Sequence, residues 1–442
     1  MVKQKDILGI NSRSSEYLKL NKKRARLRAD DKLLAKRMLR RVRIPHPKLL
    51  GKLKNQLAVE RFDWLKLKGG FVIKPVQGLE GGGIFIVKRP AKLAGEWILV
   101  GGKKVSTEDL KLHAMDIMEG RFSRNNIPDT AMIEERVEIH SKFKKISSGG
   151  APDVRIIVYN KVPIMAMLRL PTEESGGRGN LHQGAIGLGI DIATGITTYG
   201  VYKGKELKFF PGTQKKVNGI TVPEWNKILR MAVETQIASE LGYLAVDMLI
   251  DPERGPLVLE LNDQPGLSIQ IANRSGLKRR LNRVDGLSVE DAKKGVRVAK
   301  ALFASAFAKR VGKLPGDKTR IGIFEMAEVK IGKRKKYLME AKVDTGAYGS
   351  SIDRSLAKEL GLLVKENVLW EKKYKSSLGT QKRTVVRLVF WLKGTKVVTR
   401  ASVTNRKDMR KKLLIGRRDL RDFVVVPGRF KDSKMKIDKK KK

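Results

Sequence analysis

The sequence predicts an α+β protein in two parts, a larger mixed part followed by a small all-β one. Three observations carry this. Between residues 71 and 266, short β-type runs (FVIKP, GIFIVK, AMIEERV, VRIIVY, PIMAMLRL, LVLELN) alternate with helical stretches. Residues 309–319, KRVGKLPGDKT, combine Gly, Pro and charge as a linker does. After them, residues 320–427 hold only short alternating runs (MAEVKI, YLMEAKV, TVVRLVFWL, TKVVTRASV) separated by Gly and charged turns. The expected division is therefore 1–308, opening on a basic segment 1–30, then a linker 309–319, an all-β domain 320–430 and a basic disordered tail 431–442.

The helices follow from periodicity. Asp30 is placed to cap a helix over 31–43, with Leu34, Met38 and Val42 on its apolar face. Ile44-Pro45-His46-Pro47 ends it, because proline lacks a donor and restricts the residue before it. A second helix over 224–241 repeats Trp225, Ile228, Leu229, Ala232, Val233 and Ile237. A third, over 289–309, places Val296, Ala299, Phe303 and Ala306 together.

Composition narrows the chemistry. The 442 residues are 41% hydrophobic, enough for about three average domains or two larger ones, and too apolar for a disordered chain despite 32% charged residues. There is no cysteine, which excludes disulfides, thiolate metal sites and thiol nucleophiles. The four histidines, His46, His113, His140 and His182, are too scattered for a histidine zinc site. The N-terminal residues lack the apolar stretch of a signal peptide, and no run is long enough to span a membrane, so a soluble cytoplasmic protein is expected. Net charge is +48, of which residues 1–60 carry +13 and residues 405–442 carry +11. Such a balance fits an acidic peptide substrate or a polyanion such as nucleic acid, or simply a solvated basic surface. No basic motif interleaved with aromatics for stacking bases is present.

Two regions carry candidate chemistry for a nucleotide and metal. In FVIKPVQGLEGGGIFIVK a strand-borne Lys74 precedes a loop with Gly78, Gly81, Gly82 and Gly83. Glycines let backbone N–H groups approach phosphate oxygens, and the ammonium adds charge. It is not a Walker-type loop, since no Gly-Lys-Ser/Thr follows. Further on, GYLAVDMLID and GPLVLELNDQPGL place Asp247 and Glu260 on two strands expected to be neighbours, with Asn262 two residues after Glu260 and so on the same face. Two carboxylates and an amide are hard oxygen ligands suited to magnesium. The alternative is an edge strand with solvated carboxylates.

Together with IEERVEIH, PDVRIIVYNKVPIMAMLRLPT, GNLHQGAIGLGIDIATG and LELNDQPGLSIQIANRSGL, these motifs make residues 30–282 resemble the ATP-grasp ligases, in the α-L-glutamate ligase-like branch related to ribosomal-protein glutamate ligases. The resemblance implies a two-lobed clamp on ATP that phosphorylates a carboxylate, after which an amine attacks the acyl phosphate. It also implies roles. Lys32 and Lys74 would hold the phosphates and the glycine loop would close over them. Glu134 would accept from the adenine amino group, Glu135 and Val137 would offer backbone groups to the ring, and Glu138 is the candidate for the ribose. Asp247, Glu260 and Asn262 would hold two Mg2+ ions, with Mn2+ a possible substitute. Arg155 and Arg169 would steady the transferred phosphoryl group, with Asn180 near the same centre. For either arginine the alternative is a surface ion pair. No general base stands out, and an acyl phosphate needs none, since a neutral amine can attack it directly. Many ATP-grasp enzymes begin with a full α/β domain, whereas only about 30 residues precede the first lobe here.

In the all-β part, EAKVDTGAYGSSID places Asp344 in Asp-Thr-Gly-Ala just after a β-type run, and KKLLIGRRDL follows downstream. With IGIFEMAEV and KSSLGTQKR, these resemble the retropepsin-like aspartic proteases, in the branch labelled ATP-dependent zinc protease. The zinc label has no support, because residues 320–427 contain neither histidine nor cysteine. An aspartic mechanism needs two carboxylates sharing one proton. With a single Asp-Thr-Gly, the pair requires a homodimer through this domain, with Asp344 from each copy. The alternative is a β domain that only binds peptide. The leading expectation is thus a ligase adding an amino acid, glutamate by resemblance, to an acidic peptide or protein, fused to an aspartic peptidase. The alternative of another class is a polyanion-binding or ribosome-associated protein with vestigial enzyme domains; nucleic-acid binding has no specific motif behind it.

Overall fold

The computed structural model describes residues 3–78, 81–123, 126–147, 150–304, 319–332, 335–376, 379–406 and 409–427, with the backbone alone for 372–376 and 379–382. The expected linker, apart from Thr319, and the expected tail 431–442 lie outside the described residues. The chain divides into two compact units, Met1–Gly312 and Lys313–Lys442.

In the first unit, short helical turns between Gln4 and Leu20 lead into two helices, α1 (Lys23–Asp30) and α2 (Lys32–Arg41). Asp31, between them, is the cap of α2: its Oδ1 accepts from the N–H groups of Leu33 and Leu34 at 2.8 and 2.9 Å. This corrects the expected cap, Asp30, which ends α1 in helical geometry. Only a residue in extended backbone can turn its carboxylate back onto the next N–H groups, and that residue is Asp31. The buried face is corrected too. Ala35, Lys36 and Leu39 are buried, while Leu34 and Val42 are exposed. The helix closes when Arg43 turns left-handed (φ 55°) and the Ile44 N–H bonds the Leu39 carbonyl at 2.9 Å, just before Pro45.

The basic segment ahead of α2 is packed down. The Asn21 amide donates to the carbonyls of Tyr243 and Asp263 at 2.7 and 3.0 Å and accepts from the Tyr243 N–H at 2.9 Å. A first lobe then follows as a six-stranded antiparallel sheet of β1 (Leu49–Leu53), β2 (Phe71–Pro75), β3 (Phe85–Pro90), β4 (Glu96–Leu99), β5 (Lys104–Ser106) and β6 (Ala131–Glu135), ordered β1-β6-β2-β3-β4-β5. Helix α3 (Thr107–Met118), closed at its start by a Ser106–Asp109 capping box, covers one face. Phe71, Ile73, Val87, Trp97, Leu110 and Ile133 form the core between them.

The second lobe is a seven-stranded antiparallel sheet ordered β11-β10-β9-β8-β7-β12-β13. Its strands are β7 (Asp153–Tyr159), β8 (Val162–Leu170), β9 (Ile186–Ile190), β10 (Thr197–Tyr202), β11 (Lys205–Leu207), β12 (Tyr243–Asp251) and β13 (Gly255–Asn262). Every residue of β8 and β12 is buried. Helices α4 (Trp225–Ser239) and α6 (Ala292–Phe303) pack on β8, with the short α5 (Ile269–Asn273) between them in sequence. The α4 stripe is as expected except that Ile237 is 44% exposed at its last turn. Helix α6 starts later than expected, where the Asp291 carboxylate accepts from the Lys294 N–H, and its buried stripe is Ala292, Gly295, Val298, Ala299, Leu302 and Phe303.

Among its described residues the second unit is a β structure with one short helix. Strands β15 (Phe324–Ile331), β16 (Lys335–Asp344), β17 (Ser351–Asp353), β19 (Gly379–Leu392), β20 (Thr395–Thr404) and β21 (Leu413–Gly416) follow the order β15-β16-β21-β17-β20-β19. Pairing of β15 with β19 closes them into a six-stranded barrel around Val329, Val343, Ile352, Leu388, Phe390 and Ile415. Strand β18 (Val368–Ser376) extends β19, and β14 (Thr319–Ile321) pairs in parallel with β22 (Phe423–Val425). The helix, α7 (Arg354–Glu359), is capped by Asp353.

Candidate active site

In the first lobe, the strand pairing fixes a buried charge cluster. Val72 of β2 pairs with Glu134 of β6, so Lys74, two residues on, shares its face and reaches it diagonally. Lys74 Nζ pairs with Glu134 Oε1, and Lys36 from α2 lies 3.0 Å from Oε2, with all three side chains buried. Burial alone would push the Glu134 carboxyl up, but Lys74 and Lys36 outweigh it and hold it below its ordinary value. Glu134 Oε2 has Lys36 as its partner, and its second lone pair can still accept from a ligand donor. Lys32, at the start of α2, donates to the carbonyls of Val76 and Gly78 at 3.1 and 3.3 Å. Burial lowers its pKa, against which the nearby Glu260 acts.

The glycine loop is held at both ends. The Gly81 carbonyl accepts from Arg178 Nη1 at 3.1 Å, and the Gly83 carbonyl lies 2.8 Å from His113 Nε2, which must carry the proton. Gly83 has φ 69°, and a Cβ there would lie 2.7 Å from the Phe122 ring, so both backbone and space demand glycine. Gly78 turns over Pro75, with a notional Cβ 2.1 Å from its ring, and Gly82 sits between the two anchored carbonyls. At the end of β6, the Glu135 N–H bonds the Lys48 carbonyl at 3.0 Å and its carboxylate takes Arg254 at 2.7 Å. Any contact of its backbone with a ring therefore falls to its carbonyl. Val137 is buried with Leu249 and Leu257, and Glu138 is exposed and paired with Arg136.

In the second lobe, cross-strand register assembles the other half. Asp247 on β12 stands opposite Arg155 on β7 and opposite Glu260 on β13, while Asp153 stands opposite Arg169 on β8. Asn262, opposite Ala245, shares the face of Glu260. Arg155 grips Asp247 bidentately, Nε to Oδ1 at 2.8 Å and Nη2 to Oδ2 at 2.6 Å. Arg169 joins both aspartates, Nε to Asp153 Oδ1 at 2.6 Å and Nη2 to Asp247 Oδ2 at 2.7 Å. Burial pushes the Asp247 carboxyl up, but the two guanidinium groups overcome it and hold it well below the usual range. Asp153 shifts the other way, raised by burial and by Asp247 against the pull of Arg169. The arginines are thus held by buried aspartates rather than forming surface ion pairs, Arg169 itself buried and Arg155 largely covered at 12% side-chain exposure.

The donor set fits a hard divalent cation. Asp247 Oδ1 accepts one hydrogen bond and keeps a lone pair, and Asn262 Oδ1 accepts only from the Gln264 N–H at 2.9 Å. Among the described residues no group of three His, Cys, Asp or Glu could hold a metal ion. The loop after β8 touches both halves. Arg178 reaches Gly81, and a Cβ on Gly179 would lie 2.2 Å from Asp153 Oδ2, so the backbone there lies against that aspartate, while the next residue, Asn180, accepts from the His182 N–H at 3.0 Å. Asp153, Lys36, Arg178 and His113 were not singled out in the sequence. Asp153 was within reach, two residues before Arg155 on one strand face, and Lys36 lies one helical turn after Lys32. Nothing local marks Arg178 or His113.

Residues 12–286 match the family model described as sugar-transfer associated ATP-grasp. The chain belongs to this family. Its first unit therefore has the ATP-grasp fold, and the match is to the sugar-transfer associated branch, whereas the sequence motifs resemble the glutamate-ligase branch. No curated protein matches this ATP-grasp chain. Among solved structures, it is similar to the ATP-grasp ligase PsnB in complex with a minimal precursor, at 16% identity and a TM-score of 0.32, over 59% of this chain and 60% of that one. D-alanine–D-alanine ligase from Bacillus anthracis matches at 15% identity and a TM-score of 0.33, over 60% of this chain and 68% of that one. A protein of unknown function from Legionella pneumophila matches at 21% identity and a TM-score of 0.18, over 25% of this chain and 94% of that one. This ATP-grasp chain thus spans three-fifths of the length of PsnB. Among the described residues no helix is long and apolar enough to cross a membrane.

Proposed function

We propose that the Met1–Gly312 unit is an ATP-dependent carboxylate–amine ligase that forms a peptide-type amide bond through an acyl phosphate. The observation that carries this reading is Asp247 standing opposite Glu260 beside Arg155 and Arg169, with Lys32 close enough to Glu260 for their charges to interact. Asp247, Glu260 and Asn262 would hold magnesium, which when bound neutralises phosphate charge and bridges phosphate oxygens. Lys32 and Lys74 would take the phosphates, and the loop 78–83 would cover them with backbone N–H groups. The second lone pair of Glu134 Oε2 suits the adenine amino group, with Glu135, Val137 and Glu138 lining the ring and ribose side. Arg155 and Arg169, fixed by aspartates, supply cationic charge where it develops on the transferred phosphoryl group without reorganising. Asn180 and Gly179 close over that centre. The donor amino acid is glutamate by sequence resemblance, and the acceptor is an acidic peptide or protein, which suits a chain of +48. Purified protein with ATP, Mg2+ and each amino acid in turn, followed by ADP release and product mass, tests the reading. ADP and a mass gain with one amino acid support it, and no turnover with any of them contradicts it.

For the barrel unit we propose an aspartic peptidase active as a homodimer. Asp344 ends β16 beside Gly416 of β21, and its Oδ1 accepts from the N–H groups of Gly346 and Ala347 at 3.0 Å each. Those bonds hold Oδ1 against the loop at the strand end, and Oδ2, 3.8 Å from Lys342 Nζ, would share a proton with the carboxylate of the second copy. Cleavage lost in Asp344→Asn together with a dimer in sedimentation supports this. Cleavage by the variant equal to wild type overturns it.

A further inference from the structure

A second concave site lies on the sheet that carries the arginine centre, at its opposite edge. The groove, of about 710 Å³, is lined by Tyr199, Glu206, Lys208, Phe209, Lys216 and Arg274 among others. Arg274 follows α5 and is held in place by its own backbone, which turns left-handed (φ 45°) to cap that helix. Its guanidinium lies over the Tyr199 ring, 4.9 Å from the centroid, and pairs with Glu206. Both partners are more than two-fifths exposed, so the pair is weak and a ligand anion can compete for the guanidinium at little cost. Lys208 and Lys216 flank it and Phe209 is 40% exposed, so the groove carries more positive than negative charge beside aromatic surface.

The register ties this groove to the reaction centre. Arg169 stands opposite Gly187, Gly187 opposite Val201, and Val201 opposite Glu206, in one row across β8, β9, β10 and β11. Residues in one row share a sheet face, and three inter-strand steps span roughly 14 Å. Gly187 and Val201 in between are buried, so the row fixes a distance across the sheet and not an open path.

We propose that this groove docks an acidic segment of the peptide acceptor, its carboxylates taking Arg274, Lys208 and Lys216. That the peptide is the acceptor rests on the ligase reading given above, whereas the docking stands without it.

The test is fluorescence anisotropy of full-length protein with a labelled hexaglutamate peptide, without nucleotide, at several salt concentrations. Arg274→Ala should weaken binding at least about tenfold, the weight of a charge-assisted hydrogen bond. Glu206→Gln should tighten it, because the guanidinium is freed. Lys66→Ala removes the same charge from an 83% exposed side chain outside the groove and should change little. Equal losses for Arg274→Ala and Lys66→Ala, or no gain from Glu206→Gln, overturn the groove as the site. Tighter binding of a single-stranded RNA oligomer, itself lost in Arg274→Ala, overturns the peptide as occupant. Peptide binding that follows this pattern in a protein that releases no ADP leaves the groove standing and removes the ligase reading alone.

Discussion

Glu134 links the fold to the chemistry, because one buried carboxylate holds two buried ammonium groups from different elements. Removing one partner of such a cluster leaves uncompensated charge inside the protein. Glu134→Leu should therefore lose about 3–5 kcal/mol of stability in urea unfolding; a loss below about 1 kcal/mol would show that the lysines find water instead. His113 gives a pH-dependent counterpart. Burial holds its pKa below the ordinary value, despite the bond to the Gly83 carbonyl. The unfolded chain therefore binds a proton near pH 6.5 that the folded state resists, and stability falls as pH drops through that value. His113→Gln, which keeps a donor but cannot titrate, should lose less melting temperature between pH 7.5 and 5.5 than wild type. Equal losses would contradict the assignment. Of these side chains the sequence marked Lys74 by its strand and Glu134 through the family resemblance, but not Lys36. A lysine on the buried face of a helix reads as a polar break in an apolar stripe, and only its partner explains it.

At the scale of elements, the glycine loop and the strand register do most of the positioning. Gly83→Ala meets both a left-handed backbone and the Phe122 ring. It should raise the KM for ATP severalfold while leaving the melting temperature within a few degrees; an unchanged KM would remove the loop from nucleotide binding. The opposition of Asp247 and Glu260 was legible because two β-type runs joined by a tight turn must pair antiparallel, and alternation then sets the face. The cap of α2 was not. Asp30 and Asp31 are chemically equivalent, and the choice depends on α1 ending at Asp30, which no apolar periodicity announces. Likewise the groove beside Arg274 comes from packing of α5 on β8, β9 and β10, a long-range arrangement without a local signature.

For the whole molecule, the two units give two separable predictions. Asp344→Asn should leave ADP release unchanged, and Glu260→Ala should leave any peptide cleavage unchanged; loss of both activities in either variant would mean the units act as one. The two-part organisation was legible because periodicity changes from mixed to purely alternating along the chain. The closed barrel was not, since closure rests on β15 pairing with β19 across sixty residues of intervening chain. The central claim is that Asp247, Glu260 and Asn262 gather magnesium against a nucleotide held by Lys32 and Lys74. Calorimetric titration with ATP, with and without Mg2+, tests it most directly. Wild type should bind ATP at least about tenfold more tightly with Mg2+ present, and Glu260→Ala should lose that gain while still binding ATP. A magnesium effect of equal size in both proteins would contradict the account.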